Sequence, residues 1–177
     1  MNINLNHLKK FKKVLVTGPQ RSGTTIAGHI LAKELGYKYI DESGVKTRSV
    51  SLLFKALSSK ENIVVQGPCF SSIAHLIDTP DTAVVMMMRG VDEIRASEAR
   101  IDWKWERQEL RNYFKEDGVI SLTKYEAWHK FQKPFMLVPY FELQYCSLSK
   151  HVMWVDREDR KGFRRDIAPK KPKGGKK

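Results

Sequence analysis

Two short stretches of this chain carry residue types and spacings suited to holding anions. The first is Gly18-Pro19-Gln20-Arg21-Ser22-Gly23-Thr24-Thr25, which follows the apolar run Val14-Leu15-Val16. A strand that turns through two glycines and opens a helix at Thr24 makes an anion cradle. Loop N–H groups point inward, and the positive end of the helix dipole faces the same spot. Arg21 offers a planar fork of donors suited to a tetrahedral oxyanion, and Thr24 and Thr25 add hydroxyls. The second stretch is the apolar run Val84 to Met88 followed by Arg89, which puts a cation at the carboxyl end of an expected strand.

The first loop departs from the Walker A pattern G-x-x-x-x-G-K-[ST]. Gly18 and Gly23 are correctly spaced, but Thr24 stands where the lysine would reach the β- and γ-phosphates. That argues against ATP γ-phosphoryl transfer and suits a donor with a shorter anionic arm. Two carboxylates, Asp41 and Glu42, follow the second expected strand and are the best candidates for a general base. A surface acid or a cap on the next helix is the plainer account of both. His75 is the next candidate, although a histidine in an apolar helix is more often a packed neutral side chain. The chain has no H-x-H, H-E-x-x-H or C-x-x-C pair, so no metal is expected.

These residues need a scaffold, and the hydrophobic pattern supplies one. Strands are expected at 14–17, 37–40, 62–66, 83–88 and 135–140, the last interrupted by Pro139. Helices are expected at 24–35, ended by Gly36, and at 45–59, 69–77, 91–100, 103–115 and 122–131. Residues 151–155 read as a last strand or a helix end. Alternating strands and helices imply a three-layer α/β fold with a mostly parallel sheet of about five strands. Ligands in such sheets bind beyond the carboxyl ends of the strands. The glycine loop, Asp41 and Glu42, Gln66 and Arg89 all follow strands at that edge, which points to one site.

With 177 residues, 41% of them hydrophobic, the chain suits one domain. Residues 1–156 read as the α/β domain and 157–177 as a basic tail. The tail holds ten Lys and Arg against three acids, a net +7 of the chain's +12. From Pro169 onward it contains only Pro, Lys and Gly, which cannot bury enough surface to order themselves. A solubilising end is the plainer account; contact with nucleic acid or an acidic partner is the other. No apolar stretch matches a membrane span, and the first thirteen residues lack a signal-peptide core. Cys69 and Cys146 are too few for a disulfide framework. A cytoplasmic protein without membrane contact is expected.

Together the two anion-binding stretches resemble the sulfotransferases that use 3′-phosphoadenosine 5′-phosphosulfate (PAPS), a family of P-loop NTPase-like fold. Gly18 to Thr25 is similar to their 5′-phosphosulfate loop, P-[KR]-S-G-T-T. Val84 to Ser97 is similar to their 3′-phosphate segment, an apolar strand followed by R-x-P-x-D-x-x-x-S. Leu137 to Leu143 resembles the family's V-x-Y-E-x-L strand end, and Arg160-Lys161-Gly162 resembles its R-K-G. The resemblance implies a sulfuryl donor held by Gln20, Arg21, Ser22, Gly23, Thr24 and Thr25, and by Arg89, Ser97, Arg160, Lys161 and Gly162. Arg21 would stabilise the departing oxygen, and the acceptor would be an unidentified hydroxyl or amine. Gln66 stands where cytosolic members carry the catalytic histidine of T-H-x-P, and Ile26 replaces the tryptophan that stacks on adenine. A P-loop nucleotide or small-metabolite kinase is the first alternative, because Leu31 to Asp41 has the rhythm of such kinases. A non-catalytic binding module is the second.

Overall fold

The structure is a computed structural model that describes residues 5–46, 49–99 and 119–154. Five strands form one sheet: β1 (Lys13–Thr17), β2 (Lys38–Ile40), β3 (Ile63–Gln66), β4 (Thr82–Met88) and β5 (Tyr140–Gln144), in the order β2-β3-β1-β4-β5. Every neighbouring pair is parallel. The carboxyl ends therefore share one edge, as the alternation of elements implied.

Side-chain alternation along the strands sorts the core into two layers. Val14, Val16, Val64, Ala83, Val85 and Met87 face α1 (Thr24–Leu35) and the 3-10 turn Leu5–Lys10. Leu15, Ile63, Val65, Val84 and Met86 face α2 (Val50–Leu57), the turns after β3, and Trp128. A sheet buried on both faces reads as continuous apolar runs, which is why β1, β3 and β4 stood out in the sequence. Among the described residues the remaining α-helices are α3 (Val91–Ala99), α4 (Val119–Ala127), which a π-helical turn at Trp128–Gln132 continues, and the single turn α5 (Tyr145–Leu148). No helix among the described residues is long and apolar enough to cross a membrane.

The bounds of α1 match expectation. Gly36 closes the helix at φ 70°, its N–H reaching the Ala32 and Lys33 carbonyls. Four expectations are corrected. The fifth strand lies at Tyr140–Gln144 rather than 135–140. Pro139 has no N–H to give the ladder, and pairing begins where its carbonyl accepts Val84 N–H at 2.9 Å. The helix expected from Val45 starts at Val50, because Asp41 Oδ1 takes Ser43 N–H and Gly44 N–H and bends the chain into a turn first. Val45 still reaches the core, at 2% exposure. The segment expected as one helix over 69–77 is two 3-10 turns, Pro68–Ser72 and Ala74–Leu76, with Ser71 Oγ bonded back to the Pro68 carbonyl. Residues 151–154 form turns, with His151 N–H on the Leu148 carbonyl and Trp154 N–H on the His151 carbonyl. The helix expected at 103–115, the boundary at 156/157, Arg160, Lys161, Gly162 and the basic tail lie outside the described residues.

Candidate nucleotide site

The glycine loop joins β1 to α1 and is pinned from below. Thr17 Oγ1 donates to the Gly67 carbonyl at 2.8 Å, and Ser22 Oγ donates to the Pro19 carbonyl at 2.6 Å. The Ser22 N–H reaches the same carbonyl at 3.2 Å, so hydroxyl and amide together staple the loop. Gly18, at φ 144°, passes so close to β4 that a Cβ there would sit 2.9 Å from the Met87 carbonyl oxygen. Arg21 adopts φ 68°, a left-handed conformation uncommon outside glycine, and Gly23 adopts φ 97°. Reversals of this kind turn successive N–H groups into a concave nest.

Helix α1 begins with no side chain capping it. Its first internal bond runs from Ala27 N–H to the Gly23 carbonyl at 3.0 Å, so the amides of Thr24, Thr25 and Ile26 lack an intrahelical acceptor. Thr24 is buried, and its Oγ1 accepts Gln66 Nε2–H at 3.0 Å. Gln66 Oε1 in turn accepts the Tyr39 hydroxyl at 3.2 Å. The threonine in the lysine's place is therefore tied to β3, and Gln66 in the histidine's place fixes the start of α1. Thr25 is half-exposed beside it, and Gln20 is partly exposed in the loop.

The cations come from both crossover units, as the sequence implied, and they meet. Arg21 Nε and Nη2 both donate to Ser97 Oγ on α3, each at 3.1 Å. Arg89, just past β4, donates from Nη1 to the Arg21 carbonyl at 2.8 Å. Its guanidinium carbon lies 3.9 Å from the centre of the Tyr145 ring. Arg89 Nε is 3.5 Å from the Glu93 carboxylate but makes no hydrogen bond, although it is buried. A buried guanidinium N–H without an acceptor and an uncapped helix N-terminus on the same loop suit a ligand carrying two anionic groups. One difference from the sequence reading emerges. Arg21 and Ser97 were assigned to opposite ends of the donor, yet their side chains bond each other directly.

Tyr125 on α4 fixes the end of β4. Its hydroxyl accepts Arg89 N–H at 2.9 Å and donates to the Met87 carbonyl at 3.2 Å. Burial pushes the phenol up to about 12, with the Arg89 amide and charge pulling partly the other way. Tyr145, which follows β5, lies against the loop: a Cβ on Gly23 would come within 2.4 Å of its ring. Gly23→Ala is therefore expected to destabilise the fold by about 1–3 kcal/mol, through left-handed strain and the clash together. Thermal unfolding of Gly23→Ala and of Gly23→Ala/Tyr145→Ala checks this. The double variant should recover only the steric part.

The expected bases lie at the same edge. Asp41 is exposed, and its Oδ1 accepts Ser43 N–H at 3.0 Å, Ser43 Oγ–H at 2.7 Å and Gly44 N–H at 2.9 Å, which makes it the head of a turn rather than the cap of α2, whose N-cap is Ser49. Glu42 follows it, half-buried. His75 sits in a 3-10 turn with a buried Nδ1 that lacks a hydrogen-bond partner among the described residues. Sequence reasoning missed His29, Tyr39 and Tyr145. His29 lies one helical turn after Thr25, a spacing that could have flagged it. Tyr39 is the middle residue of β2, and Tyr145 lies just beyond the carboxyl end of β5.

The sheet, the glycine loop and the helix it opens define an α/β protein of three-layer, P-loop NTPase-like fold. Several solved structures are similar at low identity. The YorR protein from Bacillus subtilis, in complex with phosphorylated GDP, is 14% identical, with 88% of this chain and 95% of that chain covered and a TM-score of 0.48. Shikimate kinase from Acinetobacter baumannii, in complex with shikimate, is 15% identical over 92% of this chain and 93% of that one, with a TM-score of 0.44. Shikimate kinase from Bacteroides thetaiotaomicron is 19% identical over 75% and 86%, with a TM-score of 0.47. No protein-family model matches the chain, and no curated protein matches it by sequence.

Proposed function

We propose that this chain is a sulfotransferase that takes PAPS as donor and passes its sulfuryl group to a hydroxyl or amine acceptor. The observation behind this reading is the meeting of Arg21, Ser97 and Arg89 on one rim of the glycine loop, through bonds of 2.8–3.1 Å. The amides from Gly23 to Thr25, with Arg21, would hold the 5′-phosphosulfate; the sequence reading counted Ser22 among them, but its N–H is bonded to the Pro19 carbonyl. Arg89 and Ser97 would hold the 3′-phosphate, and the resemblance adds Arg160, Lys161 and Gly162 there. When bound, the donor supplies an electrophilic sulfur and a stable anionic leaving group. The chain's part is positioning and charge stabilisation at the bridging oxygen.

A second reading is phosphoryl transfer from a nucleoside triphosphate. It is favoured by Thr25, which occupies the hydroxyl position that holds Mg²⁺ in the Walker pattern. Calorimetry separates the two. Under the first reading adenosine 3′,5′-bisphosphate binds without added metal and more tightly than ATP·Mg²⁺. The reverse order supports the kinase. Silence toward both leaves a binding module whose basic tail contacts an anionic partner, and a salt-dependent gel shift lost on removing residues 157–177 would show that contact.

A further inference from the structure

Resting on the sulfotransferase reading, we propose that His29 is the general base of this site: its imidazole, one helical turn behind Thr25 and stacked on Tyr39, takes the proton of the acceptor's hydroxyl or amine. The inference begins with α1. Ile26, Ala27, Gly28 and Ile30 are buried, whereas Thr25 and His29 are half-exposed. Residues four apart share a helix face, and helical side chains lean toward the N-terminus. His29 therefore leans along its own face toward Thr25, whose amide belongs to the anion cradle about one helical turn (roughly 5.4 Å) away.

The imidazole is held on its other side by β2. Gly28 lets the strand come close: a Cβ there would lie 2.8 Å from the Tyr39 ring and 3.1 Å from Gln66 Cβ. That approach brings the Tyr39 and His29 ring centres to 3.8 Å, at an interplanar angle of 35°. The Tyr39 hydroxyl is anchored on Gln66, which is anchored on Thr24. One polar chain thus fixes both the start of the cradle and the surface on which His29 rests.

Tyr39 on β2 stacks against His29, and Asp41 on the turn beyond it brings its charge to bear on the ring. Burial lowers the imidazole's pKa below its ordinary value, and the Asp41 charge opposes that shift. A ring that burial biases toward its neutral form, yet with a carboxylate whose charge favours the cation, suits a base that charges only during transfer. Asp41 then acts as a positioning residue, its carboxylate held by the Ser43–Gly44 turn. In the step, the acceptor atom bonds to sulfur. The bond from sulfur to the bridging 5′-phosphate oxygen breaks, and its electron pair leaves on adenosine 3′,5′-bisphosphate. The acceptor's proton goes to His29 and from there to solvent.

Two measurements test this. Ring resonances of His29, assigned through its own backbone, are followed against pH with and without PAPS. The midpoint is expected below the usual histidine value in the free protein and should rise by at least about 0.3 unit with PAPS, because an anion beside the ring favours the cation. A midpoint indifferent to bound PAPS overturns the proposal. Release of adenosine 3′,5′-bisphosphate from PAPS, with water as acceptor, is then compared between pH 5 and pH 9. His29→Gln should lose the rising limb and on the order of 100-fold in rate. Its affinity for adenosine 3′,5′-bisphosphate should stay within about twofold. A folded His29→Gln protein that keeps the limb overturns the assignment. If this variant does not fold, or transfer to water is too slow to follow, the resonance midpoint of the unsubstituted protein decides. Failure of the unsubstituted protein to bind adenosine 3′,5′-bisphosphate overturns the sulfotransferase reading itself and is seen before either arm begins.

Discussion

Arg89→Ala is expected to weaken adenosine 3′,5′-bisphosphate binding by roughly ten- to a hundred-fold, about 1.5–3 kcal/mol, the range for hydrogen bonds to a charged group. Arg89 loses three things at once in this variant. Its Nη1 no longer holds the Arg21 carbonyl, its guanidinium no longer covers the Tyr145 ring, and the buried Nε without an acceptor is gone. The first matters for the loop, because Arg21 sits at a positive φ that its surroundings must enforce. Arg89→Lys should recover little, since an ammonium cannot span carbonyl, ring face and ligand with one planar fork. Calorimetry gives the affinity, and circular dichroism melting separates a loosened fold from a lost contact. Unchanged affinity in a folded Arg89→Ala protein would remove the 3′-phosphate assignment and leave Arg21 alone at the loop.

Trp128→Ala should be the most destabilising single change, at about 3–5 kcal/mol. Trp128 is 0% exposed and packs edge-on to Tyr140 at 5.5 Å between ring centres. Its Nε1–H donates to Glu142 Oε1 at 2.9 Å, and Lys133 Nζ reaches the same oxygen at 2.9 Å. Trp128→Phe should retain most of the packing but lose the bond to the carboxylate. Urea unfolding of both variants checks the order. Partial burial works against the Glu142 carboxylate, but the hydrogen bonds from Trp128 and Lys133, and the Lys133 charge, outweigh it and hold its pKa below the ordinary value. That sets the sign of the pH dependence. The Glu142 contribution is fully present above the unfolded carboxyl value, near pH 4.3, and is lost as pH falls through the lower folded value. Lys133 is shifted upward by the same bond. Its contribution is present below the unfolded lysine value, near pH 10.4, and is lost as pH rises through the folded one. Glu142→Gln should flatten the acid limb of the unfolding profile.

The sequence was most legible where local chemistry and tertiary packing agreed. The loop from Gly18 to Gly23, the span of α1 and its glycine stop were all readable, because strand, turn and helix signals fall in one unbroken run. β4 was readable because a short apolar run between turn signals suits a strand buried on both sides. The fifth strand was misplaced because Phe135 and Leu137 read as apolar strand residues, yet they are 66% and 68% exposed and only the chain beyond Pro139 pairs. The start of α2 was misplaced because the Asp41 turn competes with helix for the same backbone donors. Within the site, Arg21 and Arg89 were named from their places beyond strand ends, and Ser97 from the family resemblance. Their direct contact was not legible, since it depends on where α3 packs. His29 and Tyr145 were passed over for a related reason. Each gains its setting from a neighbour distant in sequence, Tyr39 in one case and Gly23 with Arg89 in the other.

The phenol of Tyr125 sits where β4 runs out of sheet partners and closes a ring between the Met87 carbonyl and the Arg89 amide. Fraying at that strand end must break two bonds to one rigid side chain together, which makes it an all-or-none event. The guanidinium that follows is therefore mounted on a stiff bracket, and its reach toward the loop is set by α4.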